Sequence, residues 1–175
     1  QPLLWIIAAL FGLLAFGATS SDVVTVGSAI GNVFRNSPST IVNMMGVFSV
    51  LGMFLITMFI AGALLRDHEL GTADLFFSSP IRARDYLLGR FSGGALACLI
   101  IFLGVALGMI VGQFMPWIDP KRLGEFSLQP FAWAFFVVVI PNVLFAGAML
   151  ALLAAITRSM LMVYLGILAF FVLWI

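Results

Sequence analysis

Five stretches of this 175-residue chain hold no charged side chain, and each approaches or exceeds the length of a helix that crosses a bilayer. They run from Gln1 to Ser21, Asn36 to Leu65, Phe91 to Ile118, Phe126 to Thr157 and Ser159 to Ile175. About 20 apolar residues cover roughly 30 Å of hydrocarbon. In that medium an unsatisfied backbone N–H or C=O is so costly that only helices or closed barrels span it. None of the five runs alternates apolar and polar residues as a barrel strand does. The expected fold is therefore all-α, a polytopic membrane helix bundle.

Composition supports the same solvent. Only 9% of residues are charged and 63% are hydrophobic, too few charges to clothe a water-soluble domain. A net charge of +1 leaves no basic face for nucleic acid. The single cysteine, Cys98, excludes an intrachain disulfide and a thiolate metal cluster. No basic segment precedes Leu3, so a cleavable signal peptide is not expected. Because the first run opens without a charged flank and the last stops before one, the sequence is read as a fragment cut at both ends.

The basic residues suggest an orientation. Arg66, Arg82, Arg84, Arg90 and Arg158 fall on one side of the expected bilayer, and Arg35, Lys121 and Arg122 on the other. The richer side is expected to be cytosolic, which puts the N-terminus inside. Trp117 and Trp133 flank the outer loop, and Tyr86 marks the inner boundary.

Within the spans three features stand out. Gly104, Gly108 and Gly112 recur every four residues and form a bare ridge where another helix can approach, either within this chain or at a subunit interface. Pro141, followed by Asn142, removes a backbone donor deep in the fourth span and is a hinge candidate, with a static kink as the plainer reading. No ionisable residue lies well inside any span, which disfavours a proton- or ion-coupled carrier.

Eight of the fifteen charges and the only histidine lie between Arg66 and Arg90. Gly71 is placed to end the second helix, Thr72 to cap a short new one, and Ser79 with Pro80 to start another of about two turns before the third span. The apolar side chains of Leu75, Phe76 and Phe77 need cover, from the inner leaflet or from a partner's groove.

The run Glu69, Gly71, Thr72, Leu75, Ser79, Pro80, Tyr86, Leu88, Gly89 and Arg90 resembles the cytosolic signature of type-2 ATP-binding cassette (ABC) transporter permeases. Span order and the proline-containing fourth helix ending in Thr157, Arg158 and Ser159 resemble that family too. The first loop, with Ile30, Gly31, Asn32, Arg35, Asn36, Ser37 and Pro38, is similar to the bacterial subfamily joined to an aminopeptidase-like domain. The resemblance implies one transmembrane permease domain over residues 1–175, with five of six spans present and no amphipathic helix ahead of the first. It also implies a cytosolic coupling helix from Thr72 to Ser79 that seats in an ATP-binding subunit. Glu69, Gly71, Thr72, Leu75, Phe76, Phe77, Pro80 and Arg84 would form that contact, Glu69 and Arg84 through charge. The implied partners are the ATP-binding cassette subunit, a second permease half and the lipid bilayer. The implied place is the bacterial inner membrane and the implied task ATP-driven export.

The chain itself is not expected to be an enzyme. Its single lysine, Lys121, precedes Arg122 rather than closing a phosphate-binding loop. His68 and Glu69 begin a zinc-protease pattern, but Thr72 stands where the second histidine is required, so neither metal nor cofactor is expected. A membrane anchor or assembly module, and a channel or membrane-enzyme subunit, remain as the other readings.

Overall fold

The computed structural model describes residues 2–21, 34–69, 71 and 82–174. Among these residues all regular structure is helical. Helix α1 spans Pro2–Ser20 and α2 spans Pro38–Ile56; a π-helical turn, Thr57–Ala61, joins α2 without a break to α3, Gly62–Glu69. Helix α4 spans Ala83–Gln113. A 3-10 turn at Pro120–Arg122 precedes α5, Gln129–Ala134, which runs through a second π-helical turn, Phe135–Val139, into α6, Ile140–Thr157. Helix α7, Met160–Trp174, follows after two residues.

Among the described residues four helices are long and apolar enough to cross a membrane: Pro2–Ser20, Pro38–Arg66, Arg84–Gln113 and Gln129–Thr157. The fifth apolar run forms a shorter helix, apolar over Met160–Val172. The third helix differs from the expected span. It begins at Ala83, eight residues before Phe91, and takes Arg84, Asp85 and Arg90 into one continuous helix of 31 residues, so no separate helix of two turns stands between Ala83 and Phe91. The physical reason is local, because nothing from Ala83 to Phe91 except Gly89 opposes helix, and charges at a helix end reach water.

The ends of the elements follow side-chain chemistry. Ser37 precedes Pro38 at the first position of α2 and accepts the Thr40 N–H at 3.3 Å. Beyond α3, Gly71 adopts φ +66, the left-handed conformation that closes helices and that glycine enters without strain. Arg158, between α6 and α7, adopts φ 50 as a residue with a side chain. Hydroxyls within the helices bond back one turn: Thr19 to the Ala15 carbonyl at 2.9 Å, Thr57 to Met53 at 2.9 Å and Thr157 to Leu153 at 2.8 Å.

The two π turns have different settings. The second ends two residues before Pro141, and the Ile140 N–H bonds back five residues to the Phe135 carbonyl. A proline ring clashes with the carbonyl four residues earlier in a regular helix, and a widened turn relieves that crowding. The helix therefore continues through Pro141. The first π turn has no proline; its Gly62 N–H bonds to the Thr57 carbonyl.

The residues divide into two compact units, one of Gln1–Val50 with Leu99–Pro141 and the other of Leu51–Cys98 with Asn142–Ile175. In the first, α1 and α4 meet through small residues. A Cβ at Gly104 would stand 2.9 Å from the Ala8 carbonyl oxygen, one at Gly112 would stand 3.1 Å from that of Phe16, and one at Gly108 would collide with the backbone of Gly12. Gly12 in turn faces Gly104. The ridge thus serves packing within the chain. In the second unit, a Cβ at Gly94 would stand 2.7 Å from the Phe59 carbonyl oxygen, and one at Gly147 2.6 Å from the Ile60 side chain.

Gly108→Ala is expected to destabilise the protein by about 1–3 kcal/mol, because backbone lies on both sides of the added methyl. Gly89→Ala, in the same helix with nothing within 4 Å of the added carbon, is expected to be neutral or stabilising by up to about 1 kcal/mol. Thermal unfolding in mild detergent distinguishes the two.

Candidate functional site

Of the residues singled out by the sequence, the five arginines from Arg66 to Arg90 and at Arg158 belong to the second unit, and Gly104, Gly108, Gly112 and Pro141 to the first. Residues 70–82 connect α3 to α4. The Gly94 backbone lies against Phe59 and Ile60, and Gly147 of α6 against Ile60 and Phe91. Gly62 meets the Met160 methyl at the start of α7. Arg66 lies about 9 Å beyond Ile60 and Arg84 about 15 Å beyond Gly94, at 1.5 Å per residue.

Arg66, Arg82, Arg84 and Arg158 are exposed, and Arg90 is half-buried with its guanidinium 5.5 Å from the centre of the Tyr86 ring. That contact is a cation–π interaction. Asp85 is exposed among them. All five arginines assigned to one side of the membrane by the sequence belong to this unit.

Of the expected coupling residues, Arg84 is exposed in the first turn of α4 and Gly71 is the exposed left-handed turn residue after α3. Glu69 is the last residue of α3, and its side chain lies outside the described residues. Thr72, Leu75, Phe76, Phe77 and Pro80, and with them the whole expected coupling helix from Thr72 to Ser79, also lie outside, as do Ile30, Gly31 and Asn32 of the first loop. Pro141 is exposed on α6.

The first unit carries a polar cluster that joins residues far apart in sequence. Asn36 donates from Nδ2 to the carbonyl oxygens of Gly124 at 2.8 Å and Glu125 at 3.3 Å, and its Oδ1 accepts the Gly124 N–H at 2.7 Å. The Arg35 N–H donates to the Arg122 carbonyl at 2.9 Å. At the end of α1, Arg35 Nη1 donates to the Thr19 carbonyl at 3.1 Å and Trp117 Nε1 to that of Ser20 at 3.1 Å. Two orphan carbonyls of the helix are thereby capped, and a cation stands where the helix dipole is negative. Burial, and secondarily the nearby Arg122 charge, lower the pKa of Arg35, which stays protonated because a guanidinium titrates far above physiological pH. Asp119 caps the following turn by accepting the Lys121 N–H at 3.0 Å.

This cluster was not foreseen from sequence. Asn36 and Gly124 are 88 positions apart, and the only local signal was the loop chemistry around each. Also unforeseen was the α1 side of the glycine contact, although Ala8 and Gly12 stand four apart. Gln113, at the end of α4, is buried, and its Nε2 has no hydrogen-bond partner among the described residues. No group of three or more histidine, cysteine or carboxylate side chains among the described residues is placed to hold a metal.

No protein-family model, curated protein or solved structure matches this chain.

Asn36→Ala removes all three hydrogen bonds to the 124–125 backbone and is expected to cost about 1–3 kcal/mol. Asn36→Asp, which keeps an acceptor for the Gly124 N–H but turns a carboxylate oxygen toward the Gly124 and Glu125 carbonyls, is expected to lose at least as much. Unfolding of both variants, followed by Trp117 fluorescence, checks the order.

Proposed function

We propose that this chain is the membrane permease of an ABC exporter, one of two halves that work with paired ATP-binding subunits at the bacterial inner membrane. The reading takes the N-terminus as cytosolic, five spans of six as present, and Thr72 to Ser79 as the coupling helix. Three things support it. The run from Glu69 to Arg90 resembles the family signature, no acidic or basic side chain lies well inside a span for ion coupling, and these 175 residues hold no phosphate-binding loop. Energy must then be received from a partner, and the segment between α3 and α4 is the charge-dense surface available to receive it.

The observation that carries the reading furthest is the contact of Gly94 with Phe59 and Ile60. It ties α4 to the long helix that precedes the connection, with backbone against backbone. Close-packed interiors transmit displacement rather than absorb it. A push on residues 72–79 therefore acts on both flanking helices together. Closure of the ATP-binding subunits would seat Leu75, Phe76 and Phe77 deeper in their cleft, with Glu69 and Arg84 making charged contacts at its rim. Rigid movement of the helices would then open the route outward. Apolar spans without buried charge suit an amphipathic or hydrophobic cargo.

Phe76→Glu places a charge in the docking contact and is expected to abolish co-purification of the ATPase, or to uncouple its activity from transport, while membrane insertion is retained. The measurement is a mild-detergent pull-down of the full-length protein with an ATPase assay on the eluate. Absence of any ATPase from wild-type eluate, or full coupled activity in the variant, refutes the proposal.

A further inference from the structure

An apolar groove lies between α6 and α7 within the second unit. It encloses about 230 Å³ and is lined, among others, by Met53, Met149, Leu153, Ile156, Gly166 and Phe170. Every lining residue is apolar or glycine. The volume falls below the roughly 300–1,000 Å³ of sites for compact drug-sized molecules. Its α6 wall, from Phe145 to Ile156, extends about 16 Å along the helix. That shape suits one extended hydrocarbon chain. Gly166 lets α7 approach α6 closely along the groove, since a Cβ there would run into the Leu153 side chain.

At one end of the groove the chemistry changes abruptly. Ile156 is the last lining residue of α6, and Arg158 follows two positions later, exposed, in the turn to α7. The apolar span Gln129–Thr157 stops just before it and the apolar part of α7, Met160–Val172, starts just after. A helix crossing the bilayer over that span puts Arg158 at headgroup level. The turn gives the side chain no steric welcome, because φ 50 is a conformation that glycine adopts freely and most residues avoid. Such an outlier points to a role for the side chain that the turn does not need. Arg66, Arg82 and Arg84 are exposed in the same unit.

We infer that the groove holds one acyl chain of an anionic bilayer phospholipid, with the phosphate of its headgroup bound by Arg158. An apolar slot ending in a cation is complementary to an acyl chain ending in an anion, and basic sites between membrane helices on the cytosolic side bind such headgroups. The inference rests on the membrane-spanning reading and is independent of nucleotide-driven transport. The occupant comes from the surrounding leaflet, so the site takes a structural or regulatory lipid rather than a soluble ligand.

The test uses the full-length protein incubated with vesicles of phosphatidylcholine and phosphatidylglycerol at three to one, re-extracted, and weighed intact for retained lipid. Resistance of the protein to alkaline extraction from membranes checks insertion separately, so a failure there refutes the membrane reading and not the site. Wild type is expected to retain phosphatidylglycerol in preference. Arg158→Gly is expected to reduce that preference about fivefold, the effect of one basic residue at an anionic surface, while thermal stability in lipid-free detergent is unchanged or raised. A merely structural arginine would leave retention unmoved. Gly166→Leu fills the slot and is expected to lose both lipids. A single cysteine placed by Met149→Cys reports access, Cys98 being buried: labelling by a membrane-soluble maleimide is expected. Equal phosphatidylglycerol retention by Arg158→Gly, or a Met149→Cys site shielded by protein, overturns the inference.

Discussion

Lipid tails are as apolar as leucine, so nothing like the hydrophobic effect pulls one membrane helix onto another; contact must come from close fit. In this protein the fit is made where side chains are missing. Gly104, Gly108 and Gly112 admit the backbone of α1 at Ala8, Gly12 and Phe16, and Gly94 admits that of the Phe59–Ile60 turn. Each approach brings carbonyl oxygens to within the space a methyl group would fill. The bulky residues on the outward faces, such as Leu103, Leu107 and Val111 on α4, are left exposed, the arrangement expected where hydrocarbon rather than water is the solvent. Beside these approaches lie the capped carbonyls of α1 and the groove beside α6.

Apart from the Gln113 amide, buried side-chain polar atoms among the described residues find partners. Hydroxyls inside helices return to their own backbone, as Thr19, Thr57 and Thr157 do. The longer-range hydrogen bonds concentrate at the end of α1, where Arg35, Asn36 and Trp117 bind carbonyls that no helix can satisfy internally. The arginines assigned to the outer side by charge counting are thus partly structural: Arg35 caps a helix, and Arg122 accepts its backbone. Of the five arginines of the second unit, Arg66, Arg82, Arg84 and Arg158 are exposed, and Arg90 is half-buried against the Tyr86 ring.

The helices themselves were legible because a span announces itself by what it lacks. An uncharged run of twenty or more residues needs no partner to be recognised, and α1, the long helix from Pro38 and the helix from Gln129 fall close to where the charges said they would. The start of α4 was misread for the same reason, since Arg84, Asp85 and Arg90 belong to its helix and not to a loop. Gly71 was legible from its backbone freedom and has the left-handed conformation expected of it. Contacts between helices were only half legible. The three glycines of α4 announced a close approach, but Ala8 and Gly12, the other side of it, carry no signal that distinguishes them from ordinary small residues. The pairing of Asn36 with Gly124 was invisible, because hydrogen bonds across 88 positions depend on where the helices put the loops. The expected coupling residues from Thr72 to Pro80 lie outside the described residues, so the part of the site that the sequence argued most closely rests on the sequence alone.

The π turn at Thr57–Ala61 has a consequence of phase. A π turn holds one residue more than regular winding accommodates, and each residue in a helix accounts for about 100° of rotation. All that follows it, from Gly62 to Glu69, is therefore swung round the axis relative to α2. The extra residue decides the direction in which Arg66 projects and the side from which the chain leaves at Gly71. It works as a vernier between the two ends of one rod: the span on one side keeps its face toward its neighbours, while the far end is aimed independently. Removing a single residue between Thr57 and Ala61 would leave length, apolarity and span count almost untouched, yet would turn the end that carries Arg66 by more than a quarter of a circle.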